Sequence, residues 1–302
     1  PKDPETPHFI PAYSQKVKAS KEFQTFQFDH SFVLNSLKSS MEGYVFHNQP
    51  LDTDDLLEQT VKLFNSCKTS LELFDMLHNM RAYDDSTHAH SLNVALICRR
   101  IGKWLKVDAA TLDTLTLCGL LHDIGKLKIP DEILNKPGKY TDEEFDLVKR
   151  HTKFGYELLK PLNIDPHIKK AALLHHERCD GSGYPLKATQ KDLDDFSMVV
   201  AIADVYDAMT AARSYRAPLC PFQVIERFEQ EGLQKYKPKF ILTFLQHIAS
   251  TYQNNRVLLS NGQSANIVML NQQHLARPIV QLNDNSCIDL STRLDLHIQS
   301  IL

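Results

Sequence analysis

Residues 115–126 read Leu-Thr-Leu-Cys-Gly-Leu-Leu-His-Asp-Ile-Gly-Lys, an apolar run that ends in an adjacent histidine and aspartate. A helix through this run would carry His122 and Asp123 into the protein interior. A second apolar run ends in the adjacent pair His175-His176. Imidazole nitrogens and carboxylate oxygens are ligands for divalent metals, so the two pairs together indicate a metal centre.

Three further residues strengthen the prediction of a metal centre. The His-Asp pair taken alone has a competing interpretation as a buried pair with a structural role. His90 and His151 lie on predicted helices with apolar faces, and Asp204 interrupts a nearly all-apolar run. A buried carboxylate without a cation is costly. One pair of metal ions would satisfy all of these groups, and such a pair is suited to hydrolysing phosphate esters.

Composition excludes some classes of function. The chain of 302 residues has 42% hydrophobic and 24% charged residues, which is ordinary for a globular protein. Its formal net charge of −3 provides no basic field, so we expect no long nucleic acid as a partner. Six scattered cysteines without a Cys-x-x-Cys pair are typical of reduced thiols, and no apolar run could span a bilayer. We therefore predict a cytoplasmic protein.

The chain divides into three predicted parts. Residues 1–50 begin with four spaced prolines and are expected to form an extended N-terminal arm with weak helical stretches. Residues 51–250 carry apolar residues at helical spacing and should form a helical domain. Residues 251–302 contain short strand-like runs, and Asn261-Gly262 between the first two predicts a hairpin. The predicted fold is mainly α with a small β appendage at the C-terminus.

Local signals place several element ends. Thr141 and Glu144 form a capping box that should open the helix carrying His151. Asp165 followed by a proline should start the helix that leads to His175. A further buried helix is expected over Ser197–Ala212. The remaining predicted strands are Pro278–Leu282, Cys287–Leu290 and Leu294–Ile298.

The order of these motifs resembles the HD-GYP family, the branch of HD proteins that contains cyclic dinucleotide phosphodiesterases. The likeness covers residues 84–250 and implies a helical HD-superfamily bundle, with residues 1–50 as a remnant of an N-terminal domain. It rests on Leu121–Lys126, Ile129–Gly138, His151, His175–Glu177, Asp180–Pro185 and Ala203–Ala208.

The resemblance implies a binuclear metal centre of iron or manganese. One ion would be held by His90, His122, Asp123 and Asp204. The other would be held by Asp123 as a bridge, with His151, His175 and His176. Ser86 stands where some family members have a glutamate that helps to hold a third ion. We therefore predict two divalent ions.

The resemblance also implies which residues contact the phosphate of the substrate. Lys126 lies three residues after Asp123, and its family counterpart approaches the scissile phosphate, so both residues are candidate catalytic residues. Arg213 and Arg216 match a pair of phosphate-contacting residues, a task that suits the planar guanidinium.

The loop at residues 180–185 is the second candidate substrate contact. Gly183 permits close approach of the backbone to a ligand. Tyr184 would either stack on a guanine or only order the loop. After Pro185 the glycine often found in the family is replaced in the run Leu-Lys-Ala-Thr-Gln, which leaves the loop shape open.

The function implied by the resemblance is hydrolysis of a bacterial signalling dinucleotide, cyclic di-GMP or 3',3'-cGAMP. The product would be the linear dinucleotide, with mononucleotides as a further alternative. Two other functions stay open, namely a non-catalytic dinucleotide-binding or protein-interaction module and another HD nucleotide phosphohydrolase. A diguanylate cyclase with a GGDEF domain and a second copy of the chain are the candidate protein partners.

Overall fold

The computed structural model of the chain describes residues 13–80, 86–211 and 219–302. Its N-terminal part is helical, with α1 at Tyr13–Ala19, α2 at Lys21–His47, α3 at Thr53–Ser66 and α4 at Ser70–Met80. Side chains cap two of these helices where the first backbone N–H groups lack partners. The Ser20 side chain accepts from the backbone N–H of Phe23, and Asp52 caps α3 in the same way.

The long helix α2 corrects the extended arm expected at the N-terminus. Its apolar residues recur three and four positions apart, the spacing of one helix face. Phe23, Leu37 and Met41 are buried in the same apolar core as the helices that follow. Each such side chain stabilises the fold by about 1.5–3 kcal/mol. The prolines that prompted the expectation lie outside the described residues, and the division into three parts stays a prediction.

The central helices form the bundle that carries the predicted metal-binding residues. Their bounds are α5 Thr87–Trp104, α6 Ala109–Leu121, α7 Asp131–Leu134, α8 Asp142–Lys149, α9 His151–Leu159, α10 Pro166–Leu174, α11 Asp195–Thr210, α12 Pro221–Glu231 and α13 Pro238–Thr251. α5 packs on α6 and α11, and α10 packs on α6, α9 and α11. A Cβ atom on Gly119 would lie 2.7 Å from the Cα atom of Ala95, so glycine allows the close approach of α5 and α6.

The predicted helix starts are confirmed, but one predicted helix is divided. Thr141 and Glu144 form the expected capping box, and Asp165 caps α10. The helix opened by the capping box ends at Lys149, and His151 begins a separate helix. α11 begins two residues before the predicted start, because the Asp194 side chain accepts from the backbone of Phe196 and Ser197.

A small antiparallel sheet follows the helices, as predicted. Its strands are β1 Arg256–Leu259, β2 Ser264–Met269, β3 Ile279–Leu282, β4 Cys287–Asp289 and β5 Ile298–Ile301. In the described part of the chain their order is β4-β3-β2-β1-β5. The predicted hairpin joins β1 to β2, and Gly262 takes the left-handed φ of 83° that favours glycine.

The last strand lies later than the sequence predicts. The expected strand began at Leu294, but this side chain is 77% exposed and β5 begins at Ile298. β5 pairs with β1 rather than with its neighbour in sequence. Ile298 pairs with Leu259 and is buried in the core. The missed boundary therefore reflects a long-range contact.

The sheet is joined to the helical bundle through α12. Arg277 forms a 2.7 Å ion pair with Glu226, and the Cys220 thiol donates to the backbone carbonyl of Ile298. Val257 and Ile267 from the sheet are buried in the common core. All six cysteines are free. Among the described helices, we find none that combines the length and the apolar character needed to cross a bilayer.

Candidate metal centre

Two groups of nitrogen and oxygen atoms lie side by side in the helical bundle. One group consists of Asp123, His151, His175 and His176, and the other of His90, His122 and Asp204. Within each group, one potential ligand atom from each residue lies within 4.8 Å of the others. The structure thus brings together all seven residues that the sequence analysis named. Asp123, which was predicted to serve both ions, groups with His151, His175 and His176.

Helix ends deliver most of these side chains to one place. His122 and His175 are the C-terminal caps of α6 and α10. His151 is the first residue of α9, and His90 lies in the first turn of α5. Ligand-bearing residues at helix ends can converge because several helices end at the same depth in the bundle.

Three histidines are oriented by the backbone. The ring Nδ1 atoms of His122, His151 and His175 lie 2.7, 2.6 and 2.9 Å from backbone carbonyl oxygens one turn earlier. A carbonyl oxygen only accepts hydrogen bonds, so each Nδ1 carries the proton. In the neutral ring, the form that binds a metal, the lone pair is then on Nε2, which points into the centre. This is the arrangement that orients histidine ligands around metals.

His90 is oriented differently, by a carboxylate that the sequence analysis did not assign. Its Nδ1 donates to the Asp207 side chain at 2.8 Å, while Nε2 lies 3.0 Å from Asp204 Oδ1. Burial alone would lower the pKa of His90, but hydrogen bonds to the two carboxylates raise it to about 9. A cation between His90 and Asp204 would take the place of the Nε2 proton. The one available signal for Asp207 was a second acid in an apolar helix.

Asp123 joins the two groups. It is 1% exposed, with Oδ1 3.3 Å from His151 Nε2 and Oδ2 3.3 Å from His122 Nε2. Burial raises its pKa, but the charges of His122 and Lys126 outweigh burial and hold the pKa well below the ordinary value. The carboxylate is therefore ionised and faces both groups, as a bridging ligand must.

The donor set fits divalent metal ions. Asp123 Oδ1 and His122 Nε2 are buried and make no hydrogen bond. Such orphaned atoms are costly unless a cation binds them. Burial lowers the pKa of His151 to about 3, and it also lowers the pKa of His175. Neutral imidazoles beside ionised carboxylates are the state in which these side chains bind metals.

The residues next to Asp123 complete the centre. A 3-10 helix at Ile124–Lys128 follows it, and the Lys126 ammonium donates to Asp123 Oδ2. Lys126 therefore lies on the same side as Asp123, although the α-helix does not continue. A Cβ atom on Gly125 would lie 1.9 Å from the carbonyl oxygen of His151, so glycine allows this turn to pack against α9.

The loop at residues 180–185 covers one side of the centre. The Tyr184 ring stacks on His176 with centroids 4.6 Å apart. Phe145, which the sequence analysis missed, lies edge-on to Tyr184 at 6.4 Å and is 45% exposed. The three rings form a path from the surface to the centre. An exposed aromatic residue just after a capping box was the available signal for Phe145.

Glu177 holds the loop in place. Its buried carboxylate accepts from the backbone N–H groups of Leu186 at 2.6 Å and Ala188 at 3.0 Å. A Cβ atom on Gly183 would lie 2.4 Å from the Glu177 Cα atom. Lys187 adopts a left-handed φ of 55° in the run where the family often has glycine. The loop therefore turns back without that glycine.

Two predictions concern residues at or beyond the ends of the described ranges. Arg213 and Arg216 lie outside the described residues. Ser86, at the place of the glutamate that helps to hold a third ion, caps α5 by accepting from the Ala89 backbone at 3.2 Å. Among the residues that the structure describes, the two groups above are the ones that could hold ions.

A model of the HD domain family matches residues 55–240, more than half of the chain. The chain belongs to the HD domain family. A solved HDG"Y"P protein from Bdellovibrio bacteriovorus shares the fold, with a TM-score of 0.53 and 18% identity, covering 78% of this chain and 74% of that chain. The predicted mainly α HD fold is confirmed.

The chain is also similar in sequence to curated cyclic dinucleotide phosphodiesterases. A 3'3'-cGAMP-specific phosphodiesterase from Vibrio cholerae is 34% identical over 183 residues, which are 60% of this chain and 35% of the relative. A cyclic di-GMP phosphodiesterase from Thermotoga maritima is 36% identical, over 58% of this chain and 48% of the relative. One from Pseudomonas aeruginosa is 32% identical, over 68% and 50%. The chain thus spans half or less of the length of these relatives, whose names confirm the resemblance drawn from the motifs.

Proposed function

We propose that this chain is a metal-dependent phosphodiesterase that hydrolyses a bacterial cyclic dinucleotide, cyclic di-GMP or 3',3'-cGAMP, to the linear dinucleotide. The observation that carries the proposal is the pair of adjacent ligand groups. Asp123 lies 3.3 Å from His151 in its own group and 3.3 Å from His122 in the other, and buried atoms of Asp123 and His122 make no hydrogen bond. The names of the curated relatives support the same substrate class.

The proposed centre holds two divalent ions of iron or manganese. His90, His122, Asp123 and Asp204 would bind one, and Asp123, His151, His175 and His176 the other. Bound ions of this kind polarise phosphoryl oxygens and lower the pKa of water. The protein would supply neutral, oriented imidazoles and the carboxylate of Asp123 as ligands for these ions.

Lys126 is the proposed catalytic cation. Its ammonium lies against Asp123 and its side chain is 21% exposed, so it borders both the centre and the solvent-facing side. A fixed positive charge at this place would stabilise the negative charge that gathers on the phosphoryl oxygens during hydrolysis. Asp123 would keep the ammonium oriented.

The substrate bases would lie on the aromatic side of the centre. Tyr184 and Phe145 offer ring faces next to His176, and stacking of a base on an aromatic ring stabilises binding by about 1–3 kcal/mol. Gly183 lets the loop pack against the backbone of Glu177, and its role as a substrate contact stays a prediction from the family resemblance. Arg213 and Arg216 stay predicted phosphate contacts from the family resemblance.

The experiment combines a substrate panel with one double variant. Purified chain loaded with iron or manganese is incubated with cyclic di-GMP, 3',3'-cGAMP and a deoxynucleoside triphosphate, and the products are separated by chromatography. We expect a linear dinucleotide from one of the first two, and no turnover by the double variant His122→Ala/Asp123→Ala. Full turnover by this variant would contradict the proposal.

The same panel separates the two other functions. Binding of a cyclic dinucleotide without any product would indicate a non-catalytic module, and cleavage of the triphosphate alone would indicate another HD phosphohydrolase. The cytoplasmic location, the GGDEF partner and the homodimer stay predictions from the sequence.

A further inference from the structure

A mainly apolar cavity lies apart from the two metal-binding groups, where helices of the N-terminal and central parts of the chain meet the C-terminal sheet. It has a volume of about 340 Å³ and is lined by α1, α4, α11 and β5, with Tyr13, Asp75, Thr210 and Ser300 among the lining residues. Cavities of this size hold small molecules. None of the residues proposed for the metal centre lines it.

Four aromatic side chains border the cavity, and three of them are packed almost wholly in the core. Phe74, Tyr206 and Tyr252 are each 2–3% exposed, and Tyr13 adds a fourth ring from the N-terminal helix. The Phe74 and Tyr206 rings meet edge-on with centroids 5.5 Å apart. Aromatic rings attract a cation placed over their faces, by about 0.5–2 kcal/mol per contact. The wall therefore favours a ligand with an apolar body, and a positive charge that reached one of these rings would add to its binding.

One carboxylate faces this aromatic wall. Asp75 accepts a hydrogen bond from the Tyr13 hydroxyl, and burial raises the pKa of Asp75 to about 6. Among the described residues that line the cavity there is no lysine or arginine, and His78 is the basic side chain present. A carboxylate withdrawn from water is stabilised when a cation binds beside it.

We propose that this cavity binds a small alkylammonium compound, with its charged nitrogen beside Asp75 and its carbon atoms against Tyr13, Tyr206 and Tyr252. An anionic nucleotide does not fit this wall, because Asp75 would repel its phosphate. Tyr206 lies on α11 between Asp204 and Asp207. A bound ligand would therefore contact the helix that carries two carboxylates of the metal centre.

Calorimetric titration of the full chain with choline tests the proposal. The matched control ligand is the neutral isostere of choline in which carbon replaces nitrogen. We expect saturable binding of choline and about tenfold weaker binding of the isostere, since the charge is the feature recognised. The variant Asp75→Asn keeps the shape of the side chain and should bind choline about tenfold more weakly.

Two more variants keep the result unambiguous. Ser300→Leu narrows the cavity from β5 and should also weaken choline binding, whereas Asp54→Asn, an exposed position on α3, should bind as the parent chain does. Circular dichroism confirms that each variant is folded. No saturable binding, equal binding of choline and its isostere, or parental affinity in both cavity variants would overturn the proposal. None of these readouts depends on phosphodiesterase activity.

Discussion

Asp123 in the metal centre and Asp75 in the cavity are carboxylates withdrawn from water, yet their surroundings shift their pKa values in opposite directions. For Asp123, the charges of His122 and Lys126 outweigh burial and hold the pKa well below its ordinary value. For Asp75, burial outweighs the hydrogen bond from Tyr13, and the pKa rises to about 6. Burial alone therefore does not decide the state of a carboxylate, because the neighbouring charges do.

The comparison assigns different ligands to the two regions. The metal centre surrounds its carboxylate with imidazole nitrogens, which bind metal ions once they are neutral. The cavity surrounds its carboxylate with tyrosine and phenylalanine rings, which offer no such lone pairs but attract organic cations. Three substitutions test the contrast.

The largest effect is expected for Asp123→Asn, which keeps the shape but removes the shared negative charge. Both ligand groups use this carboxylate, so we expect loss of both metal ions and turnover reduced about a thousandfold or more. Elemental analysis of the purified protein measures the ions, and chromatography of the products measures turnover.

Asp142→Asn is the matched control for this change. Asp142 lies exposed in the first turn of α8, away from the two ligand groups. We expect it to retain both ions and full turnover. If Asp123→Asn also retained its ions, Asp123 would not be a bridging ligand.

A smaller effect is expected for Asp207→Asn. Asp207 orients His90 through Nδ1, whereas backbone carbonyls orient His122, His151 and His175, and these cannot be removed by substitution. Loss of such an orienting carboxylate weakens metal affinity by about 10–100-fold. Competition with a chelator should show one ion released more readily and the other unchanged. Equal release of both ions would contradict this difference between the histidines.

The smallest effect is a change in stability for Asp75→Asn. The pKa of Asp75 is about 6 in the folded protein, above the ordinary value of 3.8. The stability of the wild type therefore falls as pH rises from the lower value to the higher one, and it stays low at higher pH. Asparagine does not ionise, so its stability does not follow this fall. The stability of the variant minus that of the wild type should therefore be larger at about pH 7.5 than at about pH 4.5, by about 1–2 kcal/mol.

Urea unfolding at both pH values measures this change in the free energy of unfolding. Asp54→Asn, at an exposed position, serves as the control and should show no comparable pH dependence. A variant that gained no stability at the higher pH would show that Asp75 is not destabilised by ionisation.

Local signals in the sequence predicted element ends well. The capping box at Thr141, the Asp165 cap and the Asn261-Gly262 turn are all present, because each depends on neighbours within four residues. The break between α8 and α9 and the late start of β5 were missed. Both depend on packing against segments that are distant along the chain.

The sequence by itself determined the mainly α fold, the C-terminal hairpin and the candidate metal-binding residues, since residue type and spacing along a helix carry that information. Tertiary structure decided that Asp123 faces both groups, that Asp207 orients His90, and that α1, α11 and β5 enclose one cavity. The physical reason is distance along the chain, because side chains such as His90 and Asp207, which are 117 positions apart, meet only after the helices have packed.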